Sequence, residues 1–79
     1  MKLSELGVGM SGVIKEVGGE KTLRLRLLDM GLIPKTRVAV QKMAPLGDPI
    51  QIAIRGYELT IRKDDAAMIE IETEKREAL

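Results

Sequence analysis

The 79-residue sequence contains no cysteine and no histidine. Disulfide bonds and thiolate metal sites are therefore excluded, and so are the imidazole groups that often serve as metal ligands and general bases. The serine and threonine hydroxyls have no histidine to activate them as nucleophiles. We predict a protein with no catalytic residues and no cofactor.

The acidic residues are the remaining candidates for a metal site, but their spacing does not favour one. They are scattered along the chain without the ligand spacing of a calcium loop or a metalloenzyme helix. Nor do the adjacent Asp64 and Asp65 indicate a catalytic carboxylate pair, because their side chains diverge and Asp64 is better explained as the N-cap of a short helical turn. We predict no dedicated metal site.

Aromatic residues, excess charge and long apolar runs are also scarce. Tyr57 is the only aromatic residue, and the formal net charge is +1 with both signs interspersed. Proteins that bind single-stranded nucleic acid combine a basic groove with stacking aromatic side chains, so the sequence gives this function little support. No apolar segment resembles a signal peptide or a membrane span. We expect a cytoplasmic protein that does not insert into the membrane.

The aliphatic residues form a clear strand pattern over residues 50–62, IQIAIRGYELTIR. Apolar side chains alternate with polar or small ones on both sides of the dipeptide Arg55-Gly56. A two-residue turn there pairs residue 54 with 57, 52 with 59 and 50 with 61, which places all the large apolar side chains on one face. The segment predicts a β-hairpin whose inner face is buried.

Residues 20–31, EKTLRLRLLDMG, fit either a strand or a helix by their periodicity. Leucine and arginine are good helix formers, and Gly31 stands where a helix often ends. We therefore predict a helix with Leu23, Leu27 and Met30 toward the core. Leu25 then points outward, between Arg24 and Arg26.

Shorter alternating patterns predict strands over 9–17, 36–43 and 68–72, with a 3₁₀ turn at 65–67 before the last strand. Leu3 and Leu6 have the spacing of a helical turn that covers one end of the core. The predicted fold is mainly β: a small, SH3-like, five-stranded, partly open barrel with one covering α-helix. We expect a single domain over 1–79 with a frayed tail at about 73–79.

The loop MAPLGDPI, residues 43–50, joins two predicted strands. Pro45 and Pro49 fix φ, Gly47 permits a positive φ, and Asp48 is expected to bond back to the loop backbone. One interpretation is a stiff connector. The other is a rigid loop that presents Leu46 to a partner at low entropic cost, and the two are compatible.

Four segments in this order resemble the FeoA family: RLLDMGLIP (26–34), APLGDPI (44–50), RGYELTIR (55–62) and AAMIEI (66–71). The resemblance extends from about residue 3 to 72. It implies an SH3-like barrel with helical decoration and a small cytosolic protein of bacterial ferrous iron transport. Lys35 departs from the family pattern, which usually has glycine after Met-Gly-Leu-x-Pro.

The resemblance implies a non-enzymatic accessory protein that docks onto the cytosolic face of the membrane GTPase transporter FeoB, peripheral to the inner membrane. We expect apolar tips beside charges to form the contact, and the candidate partner-binding residues are Leu46, Pro45 and Asp48 on the loop and Leu25, Arg24 and Arg26 on the helix. Two alternatives are a metal-responsive or self-associating regulatory module and, less favoured, a nucleic-acid-binding small barrel. We expect a monomer or a weak homo-oligomer.

Overall fold

The computed structural model describes residues 1–73, and every predicted strand is present in that range. In chain order the elements are a 3₁₀ turn Leu3–Glu5, β1 Ser11–Val17, α1 Lys21–Asp29, β2 Arg37–Met43, β3 Ile50–Ile54, β4 Tyr57–Ile61, α2 Lys63–Ala66 and β5 Ile69–Thr73. The predicted frayed tail lies outside the described residues, except that Thr73 ends β5.

The five strands form one antiparallel sheet in the order β4-β3-β2-β1-β5. The pairing register shifts between Ile14 and Glu16 of β1 and between Val40 and Lys42 of β2. An extra residue at such a place bends the strand and increases its twist. These irregularities curve the sheet around its apolar face, which confirms the predicted mainly β architecture.

The hairpin of β3 and β4 has the predicted register, with Ile54 opposite Tyr57, Ile52 opposite Leu59 and Ile50 opposite Ile61. Arg55 and Gly56 both have positive φ, 49° and 83°, as a two-residue turn that matches strand twist requires. The hairpin face that the sequence predicts to be buried is not fully buried, because the Tyr57 side chain remains 44% exposed. Its ring lies at the margin of the core, where the phenolic hydroxyl has access to solvent and to a hydrogen-bond acceptor.

Helix α1 confirms the helical interpretation of the ambiguous segment. The amide of Gly31 donates to the carbonyl of Leu28 (3.0 Å) and the amide of Leu32 donates to that of Leu27 (3.1 Å). With Gly31 at φ 102°, these bonds are the Schellman termination of a helix. Leu27 and Leu32 are fully buried, so the capping motif also fixes helix α1 to the core.

Helix α2 differs from the prediction in its N-terminus. The helix begins at Lys63, its N-cap is Arg62, and Asp64 lies within its first turn. Asp64 is therefore not the N-cap. The segment predicted as a 3₁₀ turn is a single α-helical turn. It ends with one hydrogen bond of the 3₁₀ type, which spans three residues, from the amide of Met68 to the carbonyl of Asp65 (3.0 Å).

The core is aliphatic, as the composition requires. Among residues 1–73 it contains fifteen buried apolar residues, with at least one from every element, and they include Leu3, Leu6, Ile14, Val38, Ile52, Ile69 and Ile71. Leu3 and Leu6 come from the 3₁₀ turn and its C-cap, which confirms their predicted position at the core. Gly12 is buried because β5 passes close to β1, and a Cβ there would lie 2.7 Å from the carbonyl oxygen of Glu72.

The N-terminal segment covers the outer edge of β5. The amide of Ile71 donates to the carbonyl of Met1 (2.8 Å), and Lys2 forms an isolated bridge with Glu70. The Glu70 carboxylate also binds the N-terminal ammonium and the Lys2 ammonium. The hydrogen bond from the N-terminal ammonium, followed by that from Lys2, lowers the pKa of Glu70.

Candidate interaction surface

Residues 44–49 form a loop that its own backbone hydrogen bonds close twice. At the tip, the amide of Gly47 donates to the carbonyl of Ala44 (2.7 Å), and at the base the amide of Ala44 donates to the carbonyl of Pro49 (2.9 Å). Pro45 is the second residue of the resulting four-residue turn, where a φ near −65° fits without strain. Two backbone hydrogen bonds and two prolines therefore restrict the loop, which agrees with the interpretation of this segment as a stiff connector.

Leu46 lies at the tip of this turn and is 95% exposed. It is the most exposed of the large apolar side chains among residues 1–73. A single exposed leucine is common on protein surfaces. A leucine so far from the core, on a loop held by two hydrogen bonds, is a rigid apolar projection.

Asp48 fixes the loop to the rest of the barrel. Its carboxylate Oδ1 accepts a hydrogen bond from the backbone amide of Lys63 (2.9 Å). This contact differs from the predicted bond to the loop backbone. The Lys63 amide is the first of helix α2, and helix N-termini have amides without acceptors inside the helix. Asp48 therefore supplies, from fifteen residues away, the acceptor that the sequence analysis attributed to Asp64.

Helix α1 presents the second group of candidate residues. Leu25 is 51% exposed, while Leu27 is buried and Leu23 packs against the core, as predicted. Arg24 and Arg26 are exposed on either side of Leu25 in the sequence. Arg26 reaches helix α2, where its Nη2 lies 3.3 Å from Oδ2 of Asp65.

The loop and helix α1 thus contact the same short element. Asp48 bonds to the first residue of α2, and Arg26 pairs with Asp65 in the same helical turn. The sequence places these two groups about twenty residues apart and gives no indication that α2 connects them. We define the interaction surface, as a candidate, by the exposed residues of the loop and of helix α1, both of which contact α2: Pro45, Leu46, Asp48, Arg24, Leu25 and Arg26.

Other surface features were not identified from the sequence. Val8 is 56% exposed in the turn before β1, and Ile33 is also exposed in the connection from α1 to β2. An open groove of about 260 Å³ lies beside the loop, lined by Lys42, Met43, Ala44, Pro49, Gln51 and Thr60. Its lining combines strand residues with both ends of the loop, so only the tertiary arrangement reveals it.

Within residues 1–73, no three His, Cys, Asp or Glu side chains lie close enough together to bind a metal ion. In that range there is also no helix with the length and hydropathy of a membrane span.

Comparison with known proteins identifies the family. The family model for the FeoA domain matches residues 1–73. The chain belongs to the FeoA family. A curated FeoA relative from Porphyromonas gingivalis, the Fe(2+) transport protein A/Fe(2+) transporter FeoB fusion protein, is 42% identical over 72 residues. The match covers 91% of this chain and 8% of the fusion protein, so the chain corresponds to a small part of that relative.

Solved FeoA structures have the same fold. The FeoA-like protein of Clostridium acetobutylicum superimposes with a TM-score of 0.90 at 29% identity, over 100% of this chain and 92% of that one. The zinc complex of Stenotrophomonas maltophilia FeoA, described as a procaryotic SH3 domain protein, gives 0.80 at 22% identity, over 91% and 89% of the two chains. The SH3-like fold predicted from the sequence is confirmed.

Lys35 occupies the position at which the FeoA pattern usually has glycine. Its φ is 74°, in the left-handed region that costs a residue with a Cβ roughly 1–2 kcal/mol. The amide of Lys35 donates to the carbonyl of Ile14 (2.7 Å), which fixes this connection to β1. The lysine therefore adopts the backbone conformation that suits a glycine, and the departure from the family pattern leaves the fold unchanged.

Proposed function

We propose that this chain is a non-enzymatic accessory of bacterial ferrous iron uptake that docks, through its interaction surface, onto the cytosolic part of the transporter FeoB. The observation that carries the proposal is Leu46, 95% exposed at the tip of a loop held by hydrogen bonds. The Porphyromonas gingivalis relative supports the choice of partner, because its name joins an Fe(2+) transport protein A to FeoB in one chain. Covalent fusion keeps two proteins at the same place, and we propose that this chain likewise acts beside FeoB, on the cytoplasmic side of the inner membrane.

The loop provides most of the expected binding free energy. Complete burial of a leucine side chain contributes about 1.5–3 kcal/mol. The loop is already closed by its backbone bonds and by the Asp48–Lys63 contact, so little conformational entropy is lost on binding. Replacement of Leu46 by alanine is then expected to weaken binding by about ten- to a hundredfold.

Helix α1 adds further residues to the proposed contact with FeoB. Leu25 offers a second apolar group, and Arg24 a charge for an acidic group of the partner. The guanidinium of Arg26 is already paired with Asp65 at 3.3 Å, so it orients the helix against α2 as well as facing the partner. An apolar centre with a polar margin is the usual composition of a protein–protein contact.

Calorimetry with the cytosolic part of FeoB from the same organism tests the proposal. Leu46→Asp and Leu25→Asp are expected to weaken binding at least about tenfold, because a carboxylate in an apolar contact is costly to desolvate. Val8→Asp is the matched control: Val8 is also an exposed apolar residue in a turn, but it lies outside the interaction surface. If both leucine variants bind like the wild type, the surface assignment is wrong; if wild type does not bind, the choice of partner is wrong.

Self-association is a second candidate function, because no backbone hydrogen bond from elsewhere in residues 1–73 reaches the outer edge of β4. Sedimentation of the purified chain with and without Fe²⁺ separates the two possibilities. Dimerisation that requires the metal indicates a metal-responsive regulatory module, whereas a monomer, or a dimer that forms equally well without the metal, is compatible with docking onto FeoB by the interaction surface.

A further inference from the structure

The two edges of the sheet differ in how they are covered. At the β5 edge, the N-terminal segment supplies a backbone hydrogen bond from Ile71 to Met1 and a bridge between Lys2 and Glu70. At the β4 edge, no backbone bond from elsewhere in residues 1–73 reaches the outer side of the strand. An uncovered edge is a template for pairing with another strand.

The hairpin register identifies which groups of β4 face outward. In a two-residue hairpin the residues that flank the turn, Ile54 and Tyr57, exchange backbone hydrogen bonds, and pairs then alternate along the strands. Tyr57, Leu59 and Ile61 therefore direct their amides and carbonyls toward β3. Glu58 and Thr60 direct theirs to the open edge, and both residues are exposed. The edge is thus a short row of donors and acceptors in alternation.

We propose that β4 pairs antiparallel with β4 of a second copy of this chain, with Thr60 opposite Thr60 at the two-fold axis. In this register Glu58 lies opposite Arg62 of the second copy, and the reverse pair forms by symmetry. Arg62 continues the extended backbone of β4, with φ −71° and ψ 147°. Its carbonyl accepts from the amide of Ala66 (2.9 Å), so the pairing reaches the Arg62 amide and side chain. Opposite charges in cross-strand pairs are stabilising, and threonine pairs form hydrogen bonds.

Charge decides between this register and its neighbours. A register centred on Glu58 places two glutamates opposite each other, which is destabilising. A register centred on Leu59 places Glu58 opposite Thr60 and leaves the charges unpaired. The Thr60-centred register brings Leu59 opposite Ile61 of the second copy on the inner face, so it also continues the apolar side of the hairpin.

The pairing of β4 with β4 ends at a dimer and does not continue to larger assemblies. A two-fold pairing uses the same edge of both copies and leaves no further β4 edge open. The β5 edges at the two ends of the combined sheet are covered by the N-terminal segments. The contact is short, so the dimer is expected to be weak, with a dissociation constant on the order of 100 μM.

Sedimentation equilibrium over a range of concentrations tests the dimer, and a charge exchange tests the register. Glu58→Arg and Arg62→Glu each replace two attractive pairs by repulsive ones and should weaken the dimer roughly tenfold. The double variant restores opposite charges and should restore the wild-type constant. Glu72→Arg, at an exposed position of β5, changes the net charge by the same amount as Glu58→Arg and should leave the dimer unchanged.

Amide hydrogen exchange gives a second measurement on the same samples. The amides of Glu58 and Thr60 should become protected as the concentration rises, while those of Leu59 and Ile61 are protected in the monomer already. A chain that stays monomeric at millimolar concentration overturns the proposal. So does a dimer that Glu58→Arg leaves unchanged, or a pair of weakened single variants that the double variant fails to rescue. Circular dichroism verifies that each variant remains folded.

Discussion

Gly31→Ala should be strongly destabilising for two separable reasons. Gly31 has φ 102°, so any side chain there is strained. In addition, a Cβ on Gly31 would overlap the hydroxyl oxygen of Tyr57. That hydroxyl donates a hydrogen bond to the carbonyl of Met30 (2.7 Å), so the ring of Tyr57 cannot keep this bond and also accommodate the methyl group.

The two contributions can be estimated. Left-handed strain costs about 1–2 kcal/mol, of which about 0.4–1 kcal/mol is offset because alanine restricts the unfolded chain. Loss of the Tyr57 hydrogen bond costs about another 1 kcal/mol, and displacement of the ring adds to it. We expect Gly31→Ala to lower the free energy of unfolding by about 2–3 kcal/mol. Gly9→Ala, at φ 88° with nothing within 4 Å of a Cβ, carries the strain alone and should cost about 1 kcal/mol.

Urea denaturation followed by far-ultraviolet circular dichroism measures these free energies. Gly31→Ala is compared in the wild type and in Tyr57→Phe, which removes the hydroxyl and with it the overlap. Its cost should fall by about 1–2 kcal/mol in the Tyr57→Phe background, because only backbone strain remains. An equal cost in both backgrounds, or a cost no larger than that of Gly9→Ala, would refute the proposed overlap.

Three further predictions concern stability. Lys35→Gly should raise the free energy of unfolding by about 1 kcal/mol, since glycine adopts a φ of 74° without strain; Lys35→Ala should not, and an equal gain for both would contradict this. Asp48→Ala should cost about 1 kcal/mol in urea denaturation, as the loss of a helix-capping acceptor does, whereas Asp64→Ala should cost much less if Asp48 serves α2. Glu70→Gln should be less stable than the wild type at neutral pH. The folded-state pKa of Glu70 is lowered from 4.5. The difference in free energy of unfolding between the two proteins should therefore be complete above pH 4.5 and disappear as the pH falls through the lowered pKa. A difference independent of pH would show that the Glu70 charge is not responsible.

The interaction surface could be predicted only in part from the sequence. The exposure of Leu46 and Leu25 follows from local patterns: Leu46 lies between turn-forming residues, and Leu25 lies on the helix face opposite Leu27. The role of Asp48 was misjudged because its partner, the amide of Lys63, is distant in the chain. Asp64 fits the local signature of a helix cap equally well, so sequence alone favoured the wrong aspartate.

Local patterns determined the strands, the hairpin register and the end of α1, because the face of a strand residue and the cap of a helix depend on a few neighbouring residues. The alternation in residues 50–62 allows one register, and Gly31 allows one helix end. Only the tertiary structure decided that Tyr57 bonds to Met30, that α2 connects the loop to α1, and that residues 1–73 cover the β5 edge but leave the β4 edge open. These features depend on which distant segments meet, and that is set by the packing of the whole aliphatic core.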